Sequence, residues 1–416
     1  MGRRGGGRGR RGSAPGRAEP ASRFSGDGVE VNSYSERWLR QGFPWVYDNE
    51  ITAQATALQP GSVVRIRARD GQVLGVGVWD HGKVAVRRFR RDDGPLDTAL
   101  MRERVNDALA RRALAPATTA WRWVHGENDD MPGVRVDVYG PDLVITLDSR
   151  ALEGLLDPLV DALTAAHDVR SVWLAWRLQH DGEGPPDTPP QRLLFGPDRS
   201  GQDTVVEERG LRVGVRPWDG PDVGLYCDMR AVRTFIEPHW HGKRVLNLFA
   251  YTGMFSVAAA AKGAREVHTV DLSASYLDRA RDNFRLNDVD PDAHVFDQTD
   301  SFKALDARRR KGEWFDVVVA DPPAYSHSEA GRWSIANDLP RLVSACLRVL
   351  APGGWLVLAS NLGTQSPKDF QHAVQKGATK VGRSLRIVHE GSTPVDFPAA
   401  LDFPESRYLK CWVLQG

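Results

Sequence analysis

The chain has 416 residues, 41% of them apolar and 26% charged, a size for two or three domains with cores of their own and too great for one ordinary domain. Its formal net charge of +1 confines any nucleic-acid contact to a local patch. Cys227, Cys346 and Cys411 stand far apart without metal-ligand spacing, so neither a disulfide framework nor a bound metal is expected, and a reducing cytoplasm fits.

Arg3-Arg4 is followed by Gly, Arg, Ser and Pro where an export signal needs an apolar stretch, and no run of about 18 apolar residues occurs. Export and a membrane span are therefore not expected. Residues 1–27 read as a disordered Arg/Gly-rich tail. Its arginines from Gly2 to Arg17 either follow a phosphate chain or form a dispensable leader.

Residues 28–95 read as a β-rich module of short strands and turns. Ser62 to Ala68 alternates, Asp70-Gly71 is a hairpin signal, and Val73 to Arg91 continues the alternation. The cluster Arg87-Arg88-Phe89-Arg90-Arg91 interleaves an aromatic with cations, which suits phosphate contact and base stacking, or else is a solvated strand edge. Residues 96–215 read as an α+β middle domain. A helix spans Asp97–Leu114, strands run from Trp121 to about Leu147 around Gly126–Gly133, and a second helix spans Leu152–His167. A Pro-rich surface loop at 181–190 precedes hairpin-like segments to about Val215.

From 216 to 416, strands at 244–249, 266–270, 293–296, 315–320 and 354–360 alternate with helices at 252–262, 273–287 and 336–350. Leu385–His389 and Arg407–Leu414 close the series. The pattern predicts an α/β fold with a parallel sheet covered on both faces, whose ligand binds outside the carboxyl ends of the strands. The stretch Val245-Leu-Asn-Leu-Phe-Ala-Tyr-Thr-Gly-Met-Phe255 has one close-approach glycine, Gly253, in place of G-x-G-x-x-G. That departure favours S-adenosylmethionine, which has no phosphate, over a nicotinamide dinucleotide. Asp271 ends the second strand, where a carboxylate accepts from both ribose hydroxyls, and Ser273 is free to cap the next helix. Asp300, after the third strand, either accepts from an adenine amino group or is a loop-surface aspartate. Asp321-Pro-Pro-Ala-Tyr325 follows an apolar strand. Its prolines make a rigid bend suited to aligning a planar base for in-line methyl transfer, with Tyr325 stacking on that base or packing in the core.

At these residues the chain resembles the class I methyltransferases related to the 23S ribosomal RNA cytosine-C5 family with an N-terminal PUA-like domain. The resemblance covers nearly everything after the tail. It is carried by Gly42–Tyr47, His125–Gly133, Gly224–Arg230 with Arg233, Asn247–Gly253, Val270–Ser273, Asp321–Pro323 and Glu405–Lys410. It implies a Rossmann-like methyltransferase domain behind a PUA-like domain that binds RNA, with Arg87, Arg88, Arg90 and Arg91 as the candidate contacts. Tyr226, Asp228 and Arg230 would border S-adenosylmethionine, the segment with Asn247, Phe249, Tyr251 and Gly253 would cradle it, and Asp271, Asp300 and Asp321 would line it. The implied partner is RNA, ribosomal RNA in particular; a homodimer is left open.

One departure stands out. Cytosine C5 is a poor nucleophile, so that family first adds a cysteine thiolate, placed just after the strand that here is Trp355–Ser360. This chain reads Ser360-Asn361-Leu362 there. Neither residue replaces a thiolate, whose pKa of about 8.5 leaves a usable anion near neutrality. A Ser-Asn pair, like Asp402–Arg407, is instead similar to the 23S ribosomal RNA guanine-N7 methyltransferase domain. N7 has an in-plane lone pair and needs no covalent adduct. The expected catalytic set is then Asp321, Tyr325 and Asn361, with Asn361 holding the guanine. Cytosine-C5 transfer through a displaced cysteine, methylation of an exocyclic amine, and an RNA-binding protein without turnover stay open; Gly253, Asp271 and Asp321 favour an enzyme.

Overall fold

The computed structural model describes residues 22–24, 27–55, 57–114, 118–176, 191–220, 222–328 and 331–416. The expectations for the Gly2–Arg17 arginines and for the loop at 181–190 lie outside the described residues. No helix among the described residues is long and apolar enough to cross a membrane.

The N-terminal unit is a seven-stranded sheet with Ser22–Phe24 at one edge and Trp45–Tyr47, beside Val84–Arg90, at the other. The segment expected to be strands and turns alone also holds a helix, Ser33–Gln41. Its signals are local: Asn32 accepts from the Ser35 N–H at 2.9 Å as N-cap, and Gly42 ends the helix at φ +115°. The middle unit is a five-stranded sheet running from Ala120–His125 to Gln191–Phe195. Helices Thr98–Arg111 and Leu156–Ala166 share one core with that sheet, around Trp123, Met101 and Leu159. The hairpin Thr204–Glu208 and Leu211–Val215 forms a sheet of its own and ties forward, Gly214 N–H donating to Asn283 Oδ1 at 2.9 Å.

The C-terminal unit runs β1 (Arg244–Leu248), α1 (Met254–Ala261), β2 (Glu266–Asp271), α2 (Ala274–Leu286), β3 (Val295–Gln298), α3 (Ser301–Lys311) and β4 (Phe315–Ala320). It continues through a hairpin at Tyr325–Ser328 and Gly331–Ser334 to α4 (Ile335–Leu347), β5 (Leu350–Ser360), α5 (Pro367–Thr379), β6 (Arg386–Gly391) and β7 (Lys410–Gln415). The sheet order is β3-β2-β1-β4-β5-β7-β6, with β7 antiparallel to β5 and β6 antiparallel to β7. Along β1, β4 and β5, successive apolar residues enter opposite cores. Leu246, Val318 and Leu356 pack under α4, while Val245, Val317 and Val357 pack against Trp240 and Phe255. Burial on both faces is why these strands read as continuous apolar runs. The reversal of strand order beside β1 places the ligand crevice at the carboxyl ends of β1 and β4.

A buried ionic knot joins the units. Asp396, on the segment between β6 and β7, accepts from Arg230 Nη1 and Nη2 at 2.8 and 3.1 Å and from the Arg122 N–H at 3.0 Å. Glu208 on the hairpin accepts from Arg233 at 2.7 and 2.8 Å. The pairs Arg230–Asp396 and Arg233–Glu208 are shut off from solvent.

Candidate active site

The turn after β1 bends the backbone sharply. Phe249, Tyr251 and Gly253 have φ of +54°, +52° and +76°. Left-handed conformations at two aromatic residues cost energy and persist only where neighbours enforce them. The enforcing group is Asp271 at the end of β2, whose Oδ2 accepts from the Tyr251 N–H at 2.8 Å while Oδ1 accepts from the Ser273 N–H at 2.9 Å. Ser273 caps α2 by accepting from the Tyr276 N–H at 3.3 Å. Burial holds the Asp271 carboxyl above the usual carboxylate range, against these bonds. Gly253 lies so close to α2 that a Cβ there would stand 2.8 Å from the Ala280 Cβ. Beside the turn, the Tyr226 and Tyr251 rings pack with centroids 5.1 Å apart, and both hydroxyls donate to Asp222, on its side chain and its carbonyl respectively, at 2.6 Å.

The second half of the site surrounds the end of β4. Asp321 has its carboxyl pushed up to about 7, by burial first and by the charge of Asp228 second, with Arg233 acting in the opposite direction. Asp228 Oδ2 accepts from the Tyr408 hydroxyl at 2.6 Å. At the start of β7, the Lys410 ammonium donates to the carbonyls of Leu362 and Tyr408 at 2.5 and 2.6 Å, which fixes the turn that carries Asn361. Burial lowers the Lys410 ammonium to about 8. Trp333 covers the Pro322-Pro323 bend, its indole N–H donating to the Pro323 carbonyl at 2.8 Å. Tyr325 is 55% exposed and Asn361 is exposed at the end of β5.

Direct contacts therefore join Tyr226, Tyr251 and Asp271, with Gly253 in the same turn, and charge couples Asp228 to Asp321. Other residues of the expected set have structural partners. Arg230 is sealed in the ionic knot rather than bordering a ligand, because Asp396 and Glu208 draw its guanidinium inward. Asn247 is buried within β1, its amide donating to Ser256 Oγ at 3.0 Å. Asp300 caps α3, Oδ1 accepting from the Phe302 and Lys303 N–H groups at 2.9 and 3.1 Å. The basic cluster of the N-terminal unit changes most. Arg88 is buried, burial lowers its guanidinium to about 10, and it donates to the carbonyls of Leu39, Leu74, Gly42 and Phe43. Arg87 is buried and paired with Asp80 at 3.1 Å, and Arg90 is paired with Asp92. Of the four, Arg91 alone is well exposed, and it reaches Asp402 at 3.1 Å.

A family profile described as S-adenosylmethionine-dependent methyltransferase matches residues 159–409. The chain belongs to this family. A second profile, PUA-like domain, matches residues 29–91. Among curated relatives of this methyltransferase, a Shewanella denitrificans protein named "Ribosomal RNA large subunit methyltransferase I" is 31% identical, over 92% of this chain and 97% of its own length. A Deinococcus radiodurans protein named "Ribosomal RNA large subunit methyltransferase" is 32% identical, over 97% of this chain and 99% of its own. The solved structure of SMU.776, described as a methyltransferase complexed with SAH, covers 94% of this chain and 100% of its own with a TM-score of 0.84. At 22% identity that likeness is one of fold.

The methyltransferase's cofactor is S-adenosylmethionine, and the side chains suit it. A carboxylate at Asp271 with lone pairs left for hydroxyls, a glycine with no side chain at the turn, and two acids near the end of β4 match a ribose, a close-packed amino acid moiety and a sulfonium cation. Asp222, Tyr408, Lys410 and Trp333 carry much of the site's geometry yet were not assigned from sequence. Tyr408 and Lys410 fall in the quoted motif Glu405–Lys410, so a signal was present; Asp222 and Trp333 have none of their own.

Proposed function

We propose that this methyltransferase modifies a base of large-subunit ribosomal RNA, at guanine N7 rather than cytosine C5. The names of the relatives support the RNA class. The observation that carries the choice of atom is the absence of an accessible thiol. Cys227, Cys346 and Cys411 are all buried, and burial pushes each thiol up. Cys227 stands between Tyr226 and Asp228, and Cys411 pairs with Ala359 of β5. After burial, Asp321 and Asp228 raise the Cys411 thiol further, the opposite of what a nucleophile needs.

When bound, S-adenosylmethionine supplies a methyl group carried by a cationic sulfonium. Attack by N7 leaves that positive charge on the purine, whereas C5 substitution ends neutral. Asp228 and Asp321 supply the negative field that stabilises a cation on the base. Asn361, held by Lys410 through the Leu362 carbonyl, presents an amide suited to the guanine edge, and Tyr325 offers a ring for stacking. The test is nucleoside mass spectrometry on ribosomal RNA from a strain lacking the gene, after incubation with the protein and methyl-labelled S-adenosylmethionine. Label is expected in 7-methylguanosine. Label in 5-methylcytidine overturns the choice of atom, and full transfer by Asn361→Ala removes that residue's role.

A further inference from the structure

The PUA-like unit has an aromatic face that no role above uses. On helix Ser33–Gln41, Tyr34 and Trp38 stand one turn apart, 61% and 36% exposed, with ring centroids 6.2 Å apart. The Arg37 guanidinium lies 5.8 Å from the Trp38 ring. Among the described residues Arg37 makes no ion pair, while Arg40 pairs with Glu36. The rings continue inward from Trp38 to Phe43 at 6.2 Å, and from Phe43 to Tyr47 and Phe403 at 6.4 and 5.8 Å. Phe403 lies on the segment that carries Tyr408, whose hydroxyl holds Asp228. Ring contacts therefore lead from the exposed pair through buried Phe403 to the segment that carries Tyr408.

Single exposed aromatics are ordinary on a protein surface, but a row of them beside an unpaired guanidinium is not what solvation of a polar helix requires. Flat rings take the faces of unstacked bases regardless of sequence, and an interleaved arginine adds stacking and phosphate contact. With Arg87 and Arg88 turned inward, this face combines exposed rings with a cation that makes no ion pair among the described residues. We propose that Tyr34, Arg37 and Trp38 dock unpaired bases of the RNA substrate and lead the strand toward the methyl-transfer cleft. The proposal rests on RNA being the substrate.

The test titrates a fluorescently labelled, unstructured oligoribonucleotide against the full chain, its Trp38→Ala, Tyr34→Ala/Trp38→Ala and Trp38→Phe variants, alongside methylation of ribosomal RNA. Loss of one stacked base corresponds to a weakening on the order of tenfold. Trp38→Ala is expected to reach that, the double variant to exceed it, and Trp38→Phe to retain most of the affinity. The KM for RNA should rise in step while S-adenosylmethionine affinity holds. Unchanged RNA binding in both alanine variants overturns the docking face and leaves the proposed function standing. Binding through these rings without methyl transfer to ribosomal RNA does the reverse, and a chain that neither binds nor methylates RNA ends both.

Discussion

Replacing Asp321 by asparagine separates what this carboxylate does for the reaction from what it costs the fold. Burial and Asp228 raise its pKa from 3.8 to about 7. The unfolded chain ionises it near 3.8, so between about pH 4 and 7 the folded state holds a proton that the unfolded state has lost. Stability associated with this group is present below pH 4, falls as pH rises through the window, and is gone above about pH 7. A gap of about three units, at about 1.4 kcal/mol each, sets a ceiling of about 4 kcal/mol. Asp321 keeps partial contact with solvent, and screening lowers the expected value to about 1–3 kcal/mol. Asp321→Asn has no charge to bury, so it is expected to match the parent near pH 4 and to exceed its stability by that amount at pH 8. Methyl transfer should fall at the same time, because half of the acid pair is gone. Urea unfolding followed by tryptophan fluorescence at pH 4, 6 and 8 measures the difference. A stability gap independent of pH, or a variant weaker than the parent at pH 8, would refute the reasoning.

Asp271→Asn leaves one oxygen where two N–H groups, and on the proposed role the ribose, need acceptors; with charge-assisted bonds worth about 1.5–3 kcal/mol each, calorimetry should find S-adenosylmethionine bound on the order of 100-fold more weakly. A change under about threefold would remove the ribose role. Gly253→Ala forces a Cβ to 2.8 Å from the Ala280 Cβ at φ +76°, and thermal melting should show a loss of about 1–3 kcal/mol together with weaker cofactor binding; an unchanged Tm would mean that the turn relaxes freely. Arg88→Ala strips the donors from four carbonyls and should cost about 3 kcal/mol of stability without flattening the salt dependence of RNA binding. Arg91→Ala should be nearly neutral for stability, and the opposite pattern would return Arg88 to the RNA surface.

The C-terminal sheet was legible because burial on both faces imposes its own composition. Phe315–Ala320 is a strand at the residues expected, and β1, β2 and β5 differ from expectation only at their ends. Four helices were not anticipated among the described residues, one of them the short Arg230–Ile236. Ser33–Gln41 and α3 are mostly polar outside a narrow buried stripe, and α5 begins at Pro367 behind a Ser366–Asp369 capping box that was not read as a start. Arg88 misled for a different reason. Composition counts a guanidinium as a surface group, and only the tertiary fold brings four carbonyls around it. Asp300 was read as an adenine acceptor or a loop-surface aspartate and not as a cap, yet its cap bonds are local enough that the run Asp300-Ser-Phe-Lys303 could have announced them. The places of Asp271 at a strand end and Gly253 in a tight turn were readable because such positions restrict what can stand there. Asp222 was not, because its partner Tyr251 meets it only after the chain has folded.

The ionic knot bears on how far the parts of this enzyme can be exchanged. A fragment cut at residue 216 would keep Arg230, Arg233 and Asp396 and lose Glu208 and Arg122, stranding two guanidinium groups without one of their carboxylates. Orphaning one member of such a pair costs about 3–5 kcal/mol, a large share of the stability of a domain. The catalytic unit is thus no cassette to be grafted behind a different N-terminal module. Its smallest transferable form includes the sheet and hairpin that precede it, and target choice has to be re-engineered on the surface of the intact chain.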